Sequence, residues 1–343
     1  MRLATIDIGT NSAKLLILEP APGSTLRPLE ERRRTIRLGE GVDASGVLSE
    51  AAVERLIETL REFQVIADRW DVERCIVVGT SASRDAGNTL IDTVRERTGL
   101  CYEILSGEEE ADLSFVGAIA GLPHADGSFV TCDIGGGSTE IVRGTSQGVV
   151  HERLSLDIGS VRITERFFSC QPPKPNELEA AKKFIRKLLA DSIAPRQEND
   201  CLVGASDTHR LLLDLQHALV NGEIQMAMDP PSAQQERSGE TGAHARKLSL
   251  TQVRGWMKNL VQMDEADVLA LNPAQLKGRS DVFPAACMIC FELMNRLAQE
   301  SIIISKWGLR HGIGLKILAL VPILGKHDFH RTLGERSRPP RWK

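Results

Sequence analysis

One short pattern occurs twice in this chain and constrains its fold more than any other feature. Residues 7–12 read Asp-Ile-Gly-Thr-Asn-Ser, and residues 133–140 read Asp-Ile-Gly-Gly-Gly-Ser-Thr-Glu. Each copy follows a short apolar run and precedes another, so each predicts two strands joined by a tight turn. Three consecutive glycines weaken a strand pair, and they therefore favour close approach of a ligand over an ordinary turn.

Both turns have the chemistry of a phosphate site. Glycine lets the backbone approach a ligand closely, and exposed N–H groups beside hydroxyl groups form a concavity for phosphate oxygens. The predicted donors are Gly9, Thr10, Asn11, Ser12, Gly135, Gly136, Gly137 and Ser138. The aspartate of each copy, Asp7 or Asp133, can hold a hard cation. Two such hairpins that face each other would hold a phosphate chain and its metal between two lobes.

Length and composition limit the classes of protein that this chain can belong to. At 343 residues it is too long for one ordinary core, so two domains are expected. Aromatic residues make up only 4%, which argues against a stacking surface for single-stranded nucleic acid. The net charge of −4 gives no general attraction for polyanions, so an anion site must be built locally. We expect no nucleic-acid partner.

The cysteines and the apolar runs predict a cytoplasmic protein that does not enter a membrane. The seven cysteines are odd in number and irregular in spacing, as in a reducing compartment. Cys287 and Cys290 form a C-x-x-C pair inside an apolar helical run, where core packing is favoured over a metal or redox role. The N-terminus shows no apolar leader, and the apolar run 317–324 is interrupted by Pro322.

The duplicated hairpin predicts two α/β lobes with a cleft between them. The first lobe is predicted to span 1–121 and the second 122–325, with a flexible insertion at 221–247 and a disordered tail at 326–343. A C-terminal helix at 308–322 can pack back on the first lobe. Local signals predict long helices that begin after Ser49 and Ser106, and a polar loop over 79–85.

Several polar residues have both a structural and a functional interpretation. The acidic run Glu108–Glu110 is either a solvated helix start or a source of one general base facing the cleft. The third Asp-Ile-Gly, at 157–159, is interpreted as a decoy whose Asp157 caps a helix. Arg84 follows a strand, at the expected cleft edge, and is a better phosphate ligand than the charge run 32–34. His311 is interpreted as a packed or surface histidine.

Taken together, these segments resemble the exopolyphosphatase/guanosine pentaphosphate phosphohydrolase family, in its short form. That family belongs to the actin–hexokinase–chaperone ATPase superfamily. The matching segments occur in order at 7–12, 37–41, 80–86, 106–111, 133–140 and 159–165. The resemblance implies two actin-like (ribonuclease H-like) lobes, with mixed sheets flanked by helices and a cleft between them.

The resemblance also implies a function and roles for single residues. It implies a metal-dependent phosphoanhydride hydrolase that releases terminal phosphate from inorganic polyphosphate or guanosine pentaphosphate. Glu110 matches the catalytic base, and Arg84 matches the phosphate-binding arginine. Asp133 and Glu140 match the ligands of Mg²⁺, for which Mn²⁺ is an alternative, and Lys14 is a further residue expected to hold the phosphate chain. We expect a homodimer.

Two departures from the family pattern bear on the substrate. Asp207 stands in a loop where the family usually has glycine, and His311 stands where it often has glutamate. Because an acid repels a nearby phosphate, Asp207 predicts a preference for polyphosphate over a nucleotide. Two other functions stay open: a kinase of the same superfamily, and a non-catalytic sensor of guanosine tetraphosphate or polyphosphate. The intact Glu110, Asp133 and Glu140 argue against the sensor.

Overall fold

A computed structural model describes residues 1–22, 25–122, 127–194, 200–224 and 246–318 of the chain, which form two mixed sheets. The strands are β1 (Leu3–Ile8), β2 (Ser12–Ala21), β3 (Thr25–Thr35), β4 (Arg74–Gly79), β5 (Tyr102–Ile104), β6 (Ser128–Ile134), β7 (Thr139–Thr145), β8 (Val150–Leu156), β9 (Asp200–Gly204), β10 (Arg246–Ser249) and β11 (Ser301–Ile304). The first sheet has the order β3-β2-β1-β4-β5, and the second has the order β10-β11-β9-β6-β7-β8.

Helices cover both sheets, which confirms the predicted mixed α/β class. They are α1 (Val42–Ser45), α2 (Glu50–Arg69), α3 (Ser81–Ala86), α4 (Asn88–Thr98), α5 (Gly107–Ala120), α6 (Ser160–Phe167), α7 (Pro175–Ser192), α8 (Asp207–Val220), α9 (Leu250–Leu260), α10 (Glu265–Leu271), α11 (Pro273–Leu276), α12 (Phe283–Arg296) and α13 (Leu309–Ile317). No helix in the described ranges is both long and apolar enough to span a bilayer.

Each repeated pattern forms the predicted antiparallel hairpin. The first hairpin is β1–β2 and the second is β6–β7. The turns close in the same way, with Gly9 N donating to Ser12 O at 3.0 Å and Gly135 N donating to Ser138 O at 2.9 Å. The first strand of each hairpin also pairs in parallel with a later strand, β4 or β9. Each turn therefore lies where the carboxyl ends of two parallel strands meet.

The two long helices begin where local signals predict. Ser49 Oγ accepts from Ala52 N at 3.2 Å, and the apolar side of α2 is buried in the core of the first sheet. Ser106 and Glu109 form a capping box at the start of α5, in which each side chain accepts from the backbone N–H of the other residue. This box fixes the first turn of α5, which carries Glu110.

The core of the second sheet accounts for the C-x-x-C pair. Helix α12 is almost entirely buried, and its Cys287 and Cys290 pack in the hydrophobic core of the second sheet. Burial raises the pKa of the Cys290 thiol to about 12, so it stays neutral. The predicted core role is therefore confirmed. His311 is also buried, and its ring stacks on Trp307 with 4.9 Å between centroids, as a packed histidine should.

The last helix packs against α5 and the first sheet. A Cβ atom on Gly117 of α5 would overlap the carbonyl oxygen of Gly308, so the two backbones touch. Arg310 Nη1 donates to Leu15 O at 3.1 Å, and its other terminal nitrogen pairs with Glu31 of β3. These contacts connect the end of the described chain to the hairpin at its beginning.

Three local predictions are wrong. Residues 81–86 of the predicted polar loop are helical, because Thr80 O accepts from Ser83 N and Arg84 N as soon as β4 ends. Asp157 does not cap α6, since its side chain is 84% exposed and Gly159 is the N-cap residue. The end of the predicted insertion is not flexible, because residues 246–249 form β10, which pairs with β11. Residues 225–245 of that insertion and the tail 326–343 lie outside the described residues, and the lobe boundary stays a prediction.

Candidate active site

A cleft lies between the two hairpin turns and brings together most of the predicted site residues. The predicted residues that line it are Asp7, Gly9, Thr10, Asn11, Ser12, Lys14, Glu110, Asp133, Gly135, Gly136, Gly137, Ser138 and Glu140. Arg84 is the exception. Arg84 contacts a residue that lines the cleft, because its Nη1 donates to Glu110 Oε2 at 2.7 Å.

The two turns touch each other at the base of the cleft. A Cβ atom on Gly136 would lie 2.8 Å from Thr10 Cβ, and one on Gly137 would overlap Ser81 Oγ. Glycine is therefore needed at both positions for this approach. Thr10 Oγ1 is buried and has no hydrogen-bond partner among the described residues. Since buried hydroxyl groups are nearly always paired, this orphaned donor at the meeting point of the turns fits a missing oxygen ligand.

Four carboxyl groups converge in the cleft, which is unusual for buried acids. Asp7, Glu110 and Glu140 are buried, and Asp133 is half-buried. Burial raises the pKa of each of them, because an ion loses hydration in the protein interior. Their mutual repulsion adds to this effect. For Glu140, burial and then the charge of Asp133 raise the pKa to about 7.

Asp133 and Glu140 stand directly opposite each other in the second hairpin. Ser114 Oγ on α5 donates to Asp133 Oδ2 at 3.2 Å. Glu140 Oε1 accepts from Ser138 Oγ at 2.7 Å and from Ser155 Oγ at 2.9 Å. Neither acid forms an ion pair within 4 Å in the described ranges, so the hydroxyl groups orient them without neutralising them.

The carboxylate of Glu110 points into the cleft from the first turn of α5. Burial raises its pKa well above the usual value, and the nearby charge of Glu140 raises it further. Arg84 opposes both effects through its ion pair with Glu110. Arg84 Nη1 also donates to Leu105 O at 3.1 Å, and Nη2 lies 3.5 Å from Ser138 Oγ. The guanidinium thus lies between the acid and the second turn.

Lys14 and Asp207 form an ion pair across the cleft. Lys14 Nζ lies 3.0 Å from Asp207 Oδ2 and 4.0 Å from Asp7 Oδ2. Asp207 also pairs with Arg210 in the next turn of α8. Although burial by itself raises the pKa of Asp207, Lys14 and Arg210 outweigh that effect and hold it well below its usual range. Asp207 is therefore charged but compensated, so the repulsion of phosphate expected from its sequence position is weakened.

The cleft also contains residues that the sequence did not single out. They are Thr80, Ser81, Ser160, Ser206, Thr208 and Arg279. Thr80 and Ser81 belong to a segment that matched the family, but only the helical start of α3 directs them inward. Arg279 follows a turn at Gly278, where φ is +75°, and no local pattern distinguishes it from a surface arginine. Burial lowers its pKa to about 10, so it remains a cation.

The third Asp-Ile-Gly, interpreted from the sequence as a decoy, has one residue that contributes to the site. Its aspartate is exposed, as is typical of a chance match, but a Cβ atom on Gly159 would overlap the backbone of Gly136. Helix α6 therefore begins directly against the second turn. The sequence signal for this role was the glycine and not the aspartate that precedes it.

The donor set of the cleft fits a hard divalent cation. The available ligands are carboxylate and hydroxyl oxygens, and the charge of Asp133 adds to burial in raising the pKa of Glu140. No group of three or more His, Cys, Asp and Glu side chains is arranged as a metal cage in the ranges described above. Mg²⁺ usually takes one or two carboxylates and completes its shell with water and substrate phosphate, so the pair Asp133 and Glu140 suits it.

Comparison with known proteins agrees with this geometry. The family model described as the Ppx/GppA phosphatase family matches residues 16–320. The chain is 31% identical over 337 residues to exopolyphosphatase 2 of Mycobacterium tuberculosis, which covers 92% of this chain and 98% of that protein.

Two solved structures are similar over almost their whole length. The Aquifex aeolicus member of the Ppx/GppA family has a TM-score of 0.71 and 29% sequence identity, covering 93% of this chain and 98% of that chain. An exopolyphosphatase from Cytophaga hutchinsonii has a TM-score of 0.80 and 25% identity, covering 95% of this chain and 100% of that chain. The fold expected from the duplicated hairpin, with its two helix-flanked mixed sheets, is confirmed.

Proposed function

Because this chain belongs to the Ppx/GppA phosphatase family, we propose that it is a metal-dependent exopolyphosphatase. It releases terminal phosphate from inorganic polyphosphate by hydrolysis of a phosphoanhydride bond. The relatives named exopolyphosphatase support this substrate. The observation that carries the mechanism is the cleft in which Glu110 and the opposed pair Asp133 and Glu140 lie beside two anion-binding turns.

Phosphoryl transfer needs positioning, charge neutralisation and an oriented water more than covalent chemistry. The backbone N–H groups and hydroxyl groups of the two turns bind the terminal phosphate, and Thr10 Oγ1 gains the partner that it lacks. Asp133 and Glu140 hold the divalent cation. When bound, it supplies positive charge that neutralises the phosphate oxygens and the leaving group.

Glu110 takes the proton of the attacking water. Its raised pKa makes it a stronger base than an exposed glutamate, and such a step contributes about 10²–10⁴-fold. Arg84 restrains the carboxylate in the free protein. As substrate arrives, Arg84 pairs with phosphate, which its 3.5 Å approach to Ser138 Oγ on the second turn permits.

Polyphosphate is proposed as the preferred substrate over guanosine pentaphosphate, and this preference stays a prediction. Repulsion by Asp207 is no longer the main reason for this preference. Lys14 and Arg210 compensate the charge of Asp207, so it repels phosphate less than its sequence position predicts. A linear polyanion needs only phosphate contacts, which the two turns, Lys14 and Arg279 can supply.

The experiment is phosphate release by the purified chain with Mg²⁺ and, separately, long-chain polyphosphate, guanosine pentaphosphate and ATP. We expect the highest kcat/KM with polyphosphate and no activity in excess chelator. ADP formation that requires a hydroxyl-bearing acceptor and releases no free phosphate would point to the kinase, and binding without turnover would point to the sensor. Asp207→Gly should change the ratio of the two kcat/KM values little.

The homodimer and the cytoplasmic location also remain proposals. Light scattering at several concentrations tests the first, and cell fractionation of the natural source tests the second. Neither is needed for the chemistry, because every residue assigned to it above comes from one chain.

A further inference from the structure

Helix α6 carries two arginines that pair with the same acid on another helix. Arg162 and Arg166 both bind the carboxylate of Asp43 on α1, which follows the first sheet. One helical turn of sequence separates them, and they differ in burial, since the side chain of Arg162 is 14% exposed and that of Arg166 is 37% exposed. They therefore make a natural pair for comparison.

Only Arg162 also reaches the second hairpin turn. Its Nε donates to Gly137 O at 3.0 Å, and its Nη2 lies 3.4 Å from Asp85 on α3, the helix that carries Arg84. The planar guanidinium can serve three acceptors at once because its N–H groups point in fixed directions. Arg166 instead lies over the ring of Phe184, 5.2 Å from its centroid.

All three glycine carbonyls of the second turn are held from the same side. Gly135 O accepts from Ser160 N at 3.0 Å, and Gly136 O accepts from Val161 N at 2.8 Å. Gly137 O is the last of the three, and Arg162 supplies its partner. In a trans peptide the C=O and the N–H of the following residue point in opposite directions. Because the three carbonyls point toward α6, the N–H groups of Gly136, Gly137 and Ser138 point away from it.

We propose that Arg162 is a positioning residue for the reaction, a role that rests on the proposed function. It holds the Gly137 carbonyl so that the N–H of Ser138 faces bound phosphate. Its contacts with Asp43 and Asp85 are separate from this role. Glycine has no side chain to anchor the turn, so an external group must restrain it.

The test compares Arg162→Met with Arg166→Met. Both variants lose an ion pair to Asp43, but only the first loses the contact with Gly137. Two readouts are needed: calorimetric binding of inorganic tripolyphosphate in excess EDTA, which prevents metal-dependent turnover, and kcat and KM for polyphosphate with Mg²⁺. For Arg162→Met we expect binding about 10-fold weaker and kcat/KM down about 10- to 100-fold. Arg166→Met should stay within about twofold of wild type in both.

Two more variants separate the contacts. Arg162→Lys keeps the charge, but one ammonium cannot serve Gly137 and Asp43 in the same geometry, so it should remain impaired. Asp43→Asn removes the shared acid and leaves the hydrogen bond to Gly137, so binding should stay within about threefold. Thermal melting of all variants checks that they fold.

Some outcomes would overturn this role. Equal binding and turnover in Arg162→Met and Arg166→Met would refute the positioning role of Arg162. Full rescue of binding and turnover by Arg162→Lys would also refute it. An Asp43→Asn variant as impaired as Arg162→Met would assign the effect to the contact across the cleft and not to the turn. A wild type that binds tripolyphosphate but hydrolyses no polyphosphate would refute the proposed function alone, because the binding comparison still stands. A wild type that does not bind tripolyphosphate would refute both.

Discussion

The two hairpins share a turn but differ in the residue that faces the aspartate. In the first hairpin Asp7 stands opposite Lys14, and in the second Asp133 stands opposite Glu140. The turn hydrogen bonds are equivalent, at 3.0 and 2.9 Å. One backbone motif is therefore used for two electrostatic environments: an acid beside a lysine, and an acid beside an acid.

Like charges directly opposite each other destabilise a strand pair, so the second hairpin has a cost that the first does not. No neighbouring cation within 4 Å neutralises Asp133 or Glu140 in the part of the chain that is described, and only hydroxyl groups contact them. Such a pair becomes favourable when a divalent cation binds. This difference supports the proposal that the second hairpin binds the metal and that the first binds only the anion.

The largest expected effect tests this division directly. Asp133→Asn should lower kcat by about 10³-fold and raise the Mg²⁺ concentration needed for half-maximal rate, because a ligand of the charge-neutralising ion is lost. Asp7→Asn should lower activity less and leave the Mg²⁺ requirement unchanged. The measurement is phosphate release against Mg²⁺ concentration. Asp157→Asn, in the exposed third copy, is the control, and an equal shift in the Asp7 and Asp133 variants would erase the distinction between the hairpins.

The next effect concerns the acid that lies between the hairpins. Glu110→Gln keeps the size of the side chain and removes its capacity to accept a proton, so kcat should fall by about 10²-fold or more. KM should change little, because phosphate contacts remain. Glu108→Gln, whose side chain is 75% exposed in the same helical turn, is the matched control. Near-normal turnover in Glu110→Gln would disprove its role as the base.

A smaller effect tests the lysine of the first hairpin. Lys14→Met should raise KM for polyphosphate by about 10-fold, since a charge-assisted contact to phosphate is lost. Its kcat and Mg²⁺ requirement should stay close to wild type. Steady-state kinetics at two salt concentrations measure this, with the exposed Lys174→Met as control. A changed Mg²⁺ requirement would mean that the first hairpin also contributes to the metal site.

The smallest effect is on stability. The folded-state pKa of Glu140 is about 7, above the ordinary glutamate value, so the folded protein binds this proton more tightly than the unfolded chain. Its contribution to stability is complete below the unfolded pKa and is lost as pH rises through about 7. Glu140→Gln cannot ionise, so in chelator it should melt above wild type by about 2 °C or more at pH 8.

That difference should shrink at pH 5, where Glu140 is protonated, and Mg²⁺ at pH 8 should stabilise only the wild type. Thermal melting by circular dichroism at the two pH values, with and without Mg²⁺, measures this. A lower melting temperature for Glu140→Gln at pH 8 in chelator would show that the second hairpin carries no electrostatic cost.

Much of the fold could be predicted because its signals are local. The two turns, the capping residues Ser49 and Ser106, and the apolar runs of the strands are each set by neighbouring residues. One error concerned a short local helix, and another a strand whose partner is distant in sequence. Residues 81–86 look like a loop by composition, but the carbonyl of Thr80 starts a helix. Residues 246–249 look like part of a polar insertion, but their pairing partner, β11, lies more than 50 residues away in sequence.

The sequence by itself determined the two turns, the acids that flank them and the family to which they belong, because these depend on residue types at fixed short spacings. Only the tertiary structure decided how those groups are charged and held. Asp207 is compensated because Lys14 reaches it from β2, in addition to Arg210 in the next turn of its own helix. Arg162 contacts the second turn because α6 packs against its glycines. Electrostatic energy depends on distance and burial in space, and the sequence states neither.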